Sequence, residues 1–252
     1  MAYETLLVER EDAVMTVRLN RPQKRNAINN QMHRELQHLC AELHEDFDTR
    51  VVVLAGAGTS FSAGADTSEW GRPGPDNELE LRHQSAIGSR TCNALDSLDQ
   101  ITIAALHGHA VGGGAVLAVC CDFRVAAQSA WFSIPEVELG IPLSWNALPR
   151  LAREVGHARA LELTVVCERF TAQQAFDWGF VTHLVPDGEE MNAAQEIAAK
   201  IAAKPPLPVA MTKASIRAIR RGTEQGEVAY SDGDLLLLSR LMQQRARRRQ
   251  AD

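Results

Sequence analysis

At 252 residues, 45% of them apolar, the chain is long enough to bury a substantial core as one main domain, and a formal net charge of -6 argues against a general affinity for nucleic acid or an anionic membrane. The acidic start "MAYETLLVEREDAV" has neither the basic-then-apolar layout of a secretory leader nor the arginine-rich layout of a transit peptide, and no apolar run approaches the length of a membrane span, so a cytoplasmic protein is expected. Five scattered cysteines (Cys40, Cys92, Cys120, Cys121, Cys167) are too sparse for a disulfide framework and none forms a C-x-x-C pair, which predicts reduced thiols and no metal site.

"TLLVERED" (5–12) and "AVMTVRLN" (13–20) read as the two strands of a hairpin, since β-branched and apolar residues recur between charged ones. "RPQKRNAI" then leaves the sheet. From Asn30 onward, Met32, Leu36, Leu39, Leu43 and Phe47 recur at steps of three and four, the spacing of one helical face. "VVVLAG" (51–56) is a continuous apolar run ended by glycine, as expected of a buried strand. The theme repeats: "ITIAALHG" is a second buried strand, "GGGAVLAVCC" a helix opened by a glycine turn, and "DFRVAA" a returning strand. Between the two units, "SEWGRPGPDNELELRHQ" (68–84) is polar and rich in Pro and Gly at its start, and reads as a flap. Beyond Ser144 the chain reads mainly helical, with one short strand in "VTHLVP" and a helix break at Pro205 and Pro206. The expected organisation is α/β, with a core over residues 1–190 and a helical C-terminal region over 191–252.

Two loops follow buried strands and expose backbone, "GAGTSFSAGAD" (56–66) and "HGHAVGGG" (107–114). Glycine lets a ligand atom approach the main chain, and free N–H groups at a helix start are ready donors to an anion. "GAGTSF" lacks the last glycine of the dinucleotide fingerprint, and neither loop ends in the Lys-Ser/Thr of a P-loop. On the glycines alone, a tight packing turn and an anion site both stay open.

"NRPQKRNAI", "SFSAGAD", "GHAVGGG", "CDFRVAA" and "FSIPEVELGIP", five blocks in order across roughly Asn20 to Val185, resemble the crotonase superfamily, the enoyl-CoA hydratase and isomerase family. The resemblance implies stacked ββα units in a spiral with a helical C-terminal region, assembled as a homotrimer or hexamer. It also implies an acyl-CoA thioester substrate, coenzyme A being part of the substrate and no further cofactor being needed. The thioester oxygen would be held by two backbone N–H groups, by position those of Ala65 and Gly113. Developing negative charge on that oxygen is what preorganised amides stabilise.

Family members that hydrate a double bond carry one glutamate just after the glycines and a second in a Pro-Glu pair. The first position is Val116 here, and the second is intact as Glu136. Its neighbours Trp131, Phe132, Ile134, Val137, Leu139 and Ile141 are apolar, so desolvation is expected to raise its pKa toward the range of a general base. Glu138 is a candidate auxiliary acid, because residues two apart share a face in an extended segment, against the plainer reading of a solvated charge. His107 and His109 read as hydrogen-bonded loop histidines. Eight residues past Glu136, where dienoyl-CoA isomerases place an aspartate, the chain has "SWN" (144–146): Trp145 is expected to shape the acyl pocket or pack in the core, and Asn146 to orient a water or a carbonyl. For the coenzyme A portion, the cations Arg21, Lys24, Arg25 and Lys213 are candidates to meet phosphates, with Ala63 and Asp66 of the first loop beside them. One carboxylate and an oxyanion hole suffice for Δ3,Δ2-enoyl-CoA isomerisation. A hydratase with a non-standard second acid and a non-catalytic acyl-CoA-binding scaffold are the alternatives.

Overall fold

The computed structural model describes residues 3–70 and 76–224, with side chains through residue 219. In chain order the elements are β1 (Leu6–Glu11), β2 (Val14–Leu19), α1 (Asn30–His44), β3 (Val51–Gly56), α2 (Glu78–Ser85), α3 (Ile87–Asp96), β4 (Ile101–Leu106), β5 (His109–Val111), α4 (Gly113–Val119), β6 (Phe123–Ala127), β7 (Trp131–Ser133), α5 (Ala147–Val155), α6 (His157–Val165), β8 (Phe170–Thr171), α7 (Ala172–Asp177), β9 (His183–Val185), α8 (Glu190–Ala202) and α9 (Pro206–Glu224). The larger sheet has the order β1-β2-β3-β4-β6-β9. Only the β1–β2 hairpin in it is antiparallel, with Val8 opposite Val17; every later pairing is parallel.

The all-apolar β3 is explained by cover on both faces. Side chains alternate along a strand, so Val52 and Leu54 join the core that α1 supplies with Leu36, Leu39 and Leu43, while Val51, Val53 and Ala55 join Ala194 and Ala198 of α8. The small Ala194 and Ala198 are fully buried and let α8 lie close on the sheet. The boundary expected at residue 190 therefore cuts off a helix that the core needs. Helix α9 is tied on differently, by Lys213 Nζ donating to Gln100 O at 2.7 Å and Asp122 Oδ2 at 2.6 Å, and by Arg217 donating to Ser97 O and Leu98 O. Residues 225–252, the rest of the expected C-terminal region, lie outside the described residues.

Two sequence expectations are corrected. The periodic run from Asn30 stops before Phe47, which is 86% exposed. Asp46 ends it: its carboxylate accepts from Asp48 N, Thr49 N and Thr49 Oγ1, a local turn that competes with the helix. The stretch read as a flap is helical in its second half, where Asn77 Oδ1 caps α2 by accepting from Leu79 N at 2.9 Å; residues 71–75 lie outside the described residues.

A second sheet, β5-β7-β8, was not legible in the sequence, and it positions the site. β5 and β7 run parallel, His109 opposite Trp131 and Val111 opposite Ser133, and Gly112 N continues the ladder by donating to Ser133 O at 2.8 Å. The first glycine loop joins on the other side of β5, Ser62 N donating to His109 O and Val111 N to Ser62 O. Three chain segments distant in sequence thus leave this small layer side by side.

Candidate active site

Where they leave it, Ala63, Gly64, Ala65, Val111, Gly112, Gly113, Val116, Glu136 and Trp145 line one pocket, with Thr67, Trp70, Leu139, Ile141, Leu143 and Ser144 on its other walls. Gly64 makes the first loop fit. Its φ is +87°, and a Cβ there would stand 2.5 Å from Val111 O and 3.2 Å from Gly113 N. The backbone bonds of this loop run to Ile28, Gly64 O accepting from Ile28 N and Asp66 N donating to Ile28 O. The amide between them, Ala65 N, donates to no described residue, and neither does Gly113 N at the first turn of α4. The two lie on the same pocket wall: a methyl group on Gly113 would stand 3.4 Å from Ala65 N. Unspent donors facing one small volume are the geometry of an anion or oxyanion site.

Glu136 lines the same pocket. It opens a turn in which Leu139 N donates to Pro135 O and Glu136 O, and Ile141 N to Glu136 O. The turn aims its carboxyl group at Gly112, where φ is +49° and a Cβ would lie 2.6 Å from Oε1. Oε2 is buried without a hydrogen-bond partner. Burial therefore pushes the Glu136 carboxyl up to about 7, opposed in smaller part by its own backbone amide. Val116, 3% exposed, occupies the α4 wall nearby with no polar group.

The other sequence candidates separate into those the fold brings to this pocket and those it does not. Trp145 lines it and Ala63 lines its edge. Glu138 does not: residues 136–140 form a turn, so the two glutamates do not share a face, and Glu138 is exposed. Asn146 points away, Nδ2 donating to Asn93 Oδ1 at 3.1 Å. Lys213 lies at the other end of the parallel strands, since Gln100 and Asp122 precede β4 and β6 whereas the glycine loops follow β3 and β4. Arg21 and Asp66 hold each other at 2.8 Å, and Asp66 further accepts from Ser68 N and Oγ. Lys24 and Arg25 are exposed, and Arg25 O accepts from Ala63 N, which places that cation beside the first loop. His107 bonds to Gly58 O and His109 stacks on Trp131, both outside the pocket. Sequence reasoning missed Thr67, Trp70 and the glycine of α3, Gly88. A lone glycine inside a helical pattern was the available signal for the last.

Residues 9–251 match the enoyl-CoA hydratase/isomerase family. The chain belongs to that family. Its fold is that of the crotonase superfamily, as a solved enoyl-CoA hydratase from Bacillus anthracis shows, 36% identical with a TM-score of 0.80 over 85% of this chain and 83% of that one. Among curated relatives, the short-chain-enoyl-CoA hydratase of Clostridium acetobutylicum is 36% identical over 89% of this chain and 84% of its own. The human mitochondrial Delta(3,5)-Delta(2,4)-dienoyl-CoA isomerase is 34% identical over 85% of this chain and 69% of its own. The family thus holds both reaction types at nearly equal distance from this chain, and the choice between them falls to the residues of the pocket. Among the described residues no group of three or more His, Cys, Asp or Glu converges on a metal position, and no helix is long and apolar enough to cross a membrane.

Proposed function

We propose that this family member is an enoyl-CoA isomerase that moves a proton from C2 to C4 of a Δ3-enoyl-CoA thioester with Glu136 as its single base. One observation carries the reading: the desolvated carboxyl of Glu136, pushed up to about 7, lines the same pocket as the unspent amides of Ala65 and Gly113, while Val116 denies a second carboxyl. The ionised Glu136 takes the proton from C2. The electron pair moves onto the thioester oxygen, giving a dienolate held by the Ala65 and Gly113 N–H groups. Protonated Glu136 then returns the proton to C4, and the double bond ends between C2 and C3 with no change in mass. A base whose pKa lies near neutrality suits both halves, since it accepts and gives back a proton at comparable cost. Each amide donor to the dienolate contributes roughly 10²–10³ in rate. Lys24 and Arg25 are the cations left to meet coenzyme A phosphates, because Arg21 and Lys213 are committed to ion pairs. The exposed Leu161 and Val165 of α6, with Val166 just after it, support assembly as a trimer or hexamer.

Hydration is the second reading, favoured by the hydroxyls of Ser144 and Thr67 on the pocket wall, which can hold a water where a second acid is lacking. Offering trans-3-enoyl-CoAs of short and of medium length to the purified protein and separating products by chromatography with mass detection tests both. A 2-enoyl-CoA of unchanged mass is expected. A product heavier by one water supports hydration, and absence of turnover together with absence of solvent deuterium exchange at C2 supports a binding scaffold.

A further inference from the structure

Trp145 lies in a slot that three separate helices keep open for it. Gly88 of α3 and Gly113 of α4 each present a bare Cα to the indole. A methyl group on Gly88 would overlap the ring at Nε1 and Cδ1, and one on Gly113 would overlap its far edge at Cζ3 and Cη2. From α1, His33 meets the ring edge-on, centroids 4.8 Å apart at 81°. His33 Nδ1 is bonded to Thr91 Oγ1 at 2.9 Å, and Gln37 donates to the same hydroxyl. Burial, with Arg90 and Arg34 nearby, holds the His33 imidazole down to about 3, so the imidazole against the indole is neutral.

The backbone is equally committed. Trp145 and Asn146 take φ of +66° and +56°, a conformation that disfavours a residue with a Cβ and persists only where surroundings enforce it. The enforcement comes from α3 and α5. Asn146 Nδ2 donates to Asn93 Oδ1, Arg150 donates to Asn146 O at 2.7 Å and to Asn93 Oδ1 at 3.0 Å, and Arg150 lies 3.6 Å from Asp96. Helix α3 therefore supplies both the slot for the ring and the clamp for its loop, and the indole is a fixed wall of the pocket.

We infer that Trp145, seated against Gly88, is the specificity-determining residue that ends the acyl channel and confines the enzyme to short acyl chains. The inference rests on the acyl-CoA reading above. A thioester oxygen on the Ala65 and Gly113 amides, with its C2 and C4 beside Glu136, leaves the rest of the chain among Leu139, Ile141, Leu143 and Trp145. The indole meets the chain end there, and without it the cleft between Gly88, Gly113 and His33 would extend the channel.

The test is calorimetric titration of saturated acyl-CoAs, from butyryl to dodecanoyl, which bind without turnover. Three variants are compared with the parent: Trp145→Gly, Gly88→Ala and the two combined. Glycine adopts the φ of residue 145 without strain, so the first variant removes the ring and keeps the loop. The parent's affinity is expected to peak at a short chain. In Trp145→Gly it continues to rise by about fourfold for each further methylene that enters the opened cleft. Gly88→Ala displaces the ring into the pocket and weakens butyryl-CoA at least about tenfold, a penalty that vanishes once the ring is removed, because coupled residues are non-additive. A length optimum that does not move in Trp145→Gly, or a Gly88→Ala penalty that persists without the ring, overturns the inference alone. Failure of the parent to bind any acyl-CoA overturns the functional reading and this inference with it.

Discussion

Two glutamates whose carboxyl groups are withdrawn from water are treated in opposite ways in this chain. Glu35, on α1 under the start of β1, accepts four hydrogen bonds, from Glu4 N, Thr5 N, Thr5 Oγ1 and Gln31 Nε2. Burial alone would raise its pKa, yet the bonds from Thr5, Gln31 and the two amides outweigh it and hold the carboxyl below the usual range. Glu136 is half-buried as a residue, but its Oε2 is buried without a partner, and its carboxyl goes up to about 7. The difference lies in the donors supplied and not in the side chain. Where the fold surrounds a carboxylate with donors, the charge becomes part of the scaffold; where it withholds them, the proton stays exchangeable near neutral pH.

Removing each glutamate's ionisable group should separate the two roles. In Glu136→Gln, turnover of a 3-enoyl-CoA is expected to fall by about 10²–10⁴, the range of a general base, while the thermal midpoint holds or rises because a poorly solvated acid is gone. Initial rates and a melting curve on the same preparation check both halves, and unchanged isomerisation would remove Glu136 from the mechanism. The amide side of the pocket is reached through Gly64→Ala. A Cβ 2.5 Å from Val111 O forces the first loop off Gly113, and kcat is expected to drop by about 10²–10³, the effect of losing one oxyanion donor.

Much of this contrast could be read from the sequence, for specific reasons. The Pro135-Glu136 pair lies within a strongly apolar stretch, so desolvation of its carboxyl was visible as composition. The glycines of both loops advertised bare backbone. What stayed hidden depends on tertiary pairing. Strands of three residues such as His109–Val111 and Trp131–Ser133 are too short to show a period, yet their parallel pairing is what brings Gly112 to Glu136. Whether Glu138 shares a face with Glu136 or is a solvated charge depends on whether the segment after Pro135 is extended, and it folds into a turn that leaves Glu138 exposed. Lys213 carries the right charge for a phosphate, and only the sheet direction reveals that it lies at the end of the strands away from the glycine loops. Three of the four donors to Glu35 come from Glu4 and Thr5, 31 and 30 residues away in sequence, which no local pattern announces.

On the scaffold side, Glu35→Ala is expected to cost about 2–3 kcal/mol, since it strips charge-assisted bonds and leaves the Thr5 and Glu4 amides to find water. Denaturant titration measures it, and turnover per folded molecule should be retained, because Glu35 does not line the pocket. A loss of turnover without a loss of stability would break the contrast.

The effect that distinguishes the glutamates most directly is the pH dependence of stability. For Glu136 the folded state holds its proton up to about 7, whereas the unfolded chain releases it near the ordinary value of 4.5. Between these values the native state binds more protons, so raising pH favours unfolding: the contribution is full below 4.5, declines up to about 7 and is gone above it, on the order of 3 kcal/mol at most. Glu35 acts with the opposite sign, because its lowered pKa stabilises the native state above the ordinary carboxylate range and that support is lost as pH falls. Denaturation free energies of the parent and of Glu136→Gln, measured from pH 4.5 to 8, should therefore diverge, the variant becoming the more stable relative to the parent as pH rises and the gap levelling off above 7. Activity of the parent should rise through the same interval, since the base must be ionised to take the first proton. Parallel stability curves for the two proteins would mean that the Glu136 carboxyl is hydrated in solution, and the poised proton on which the contrast rests would be absent.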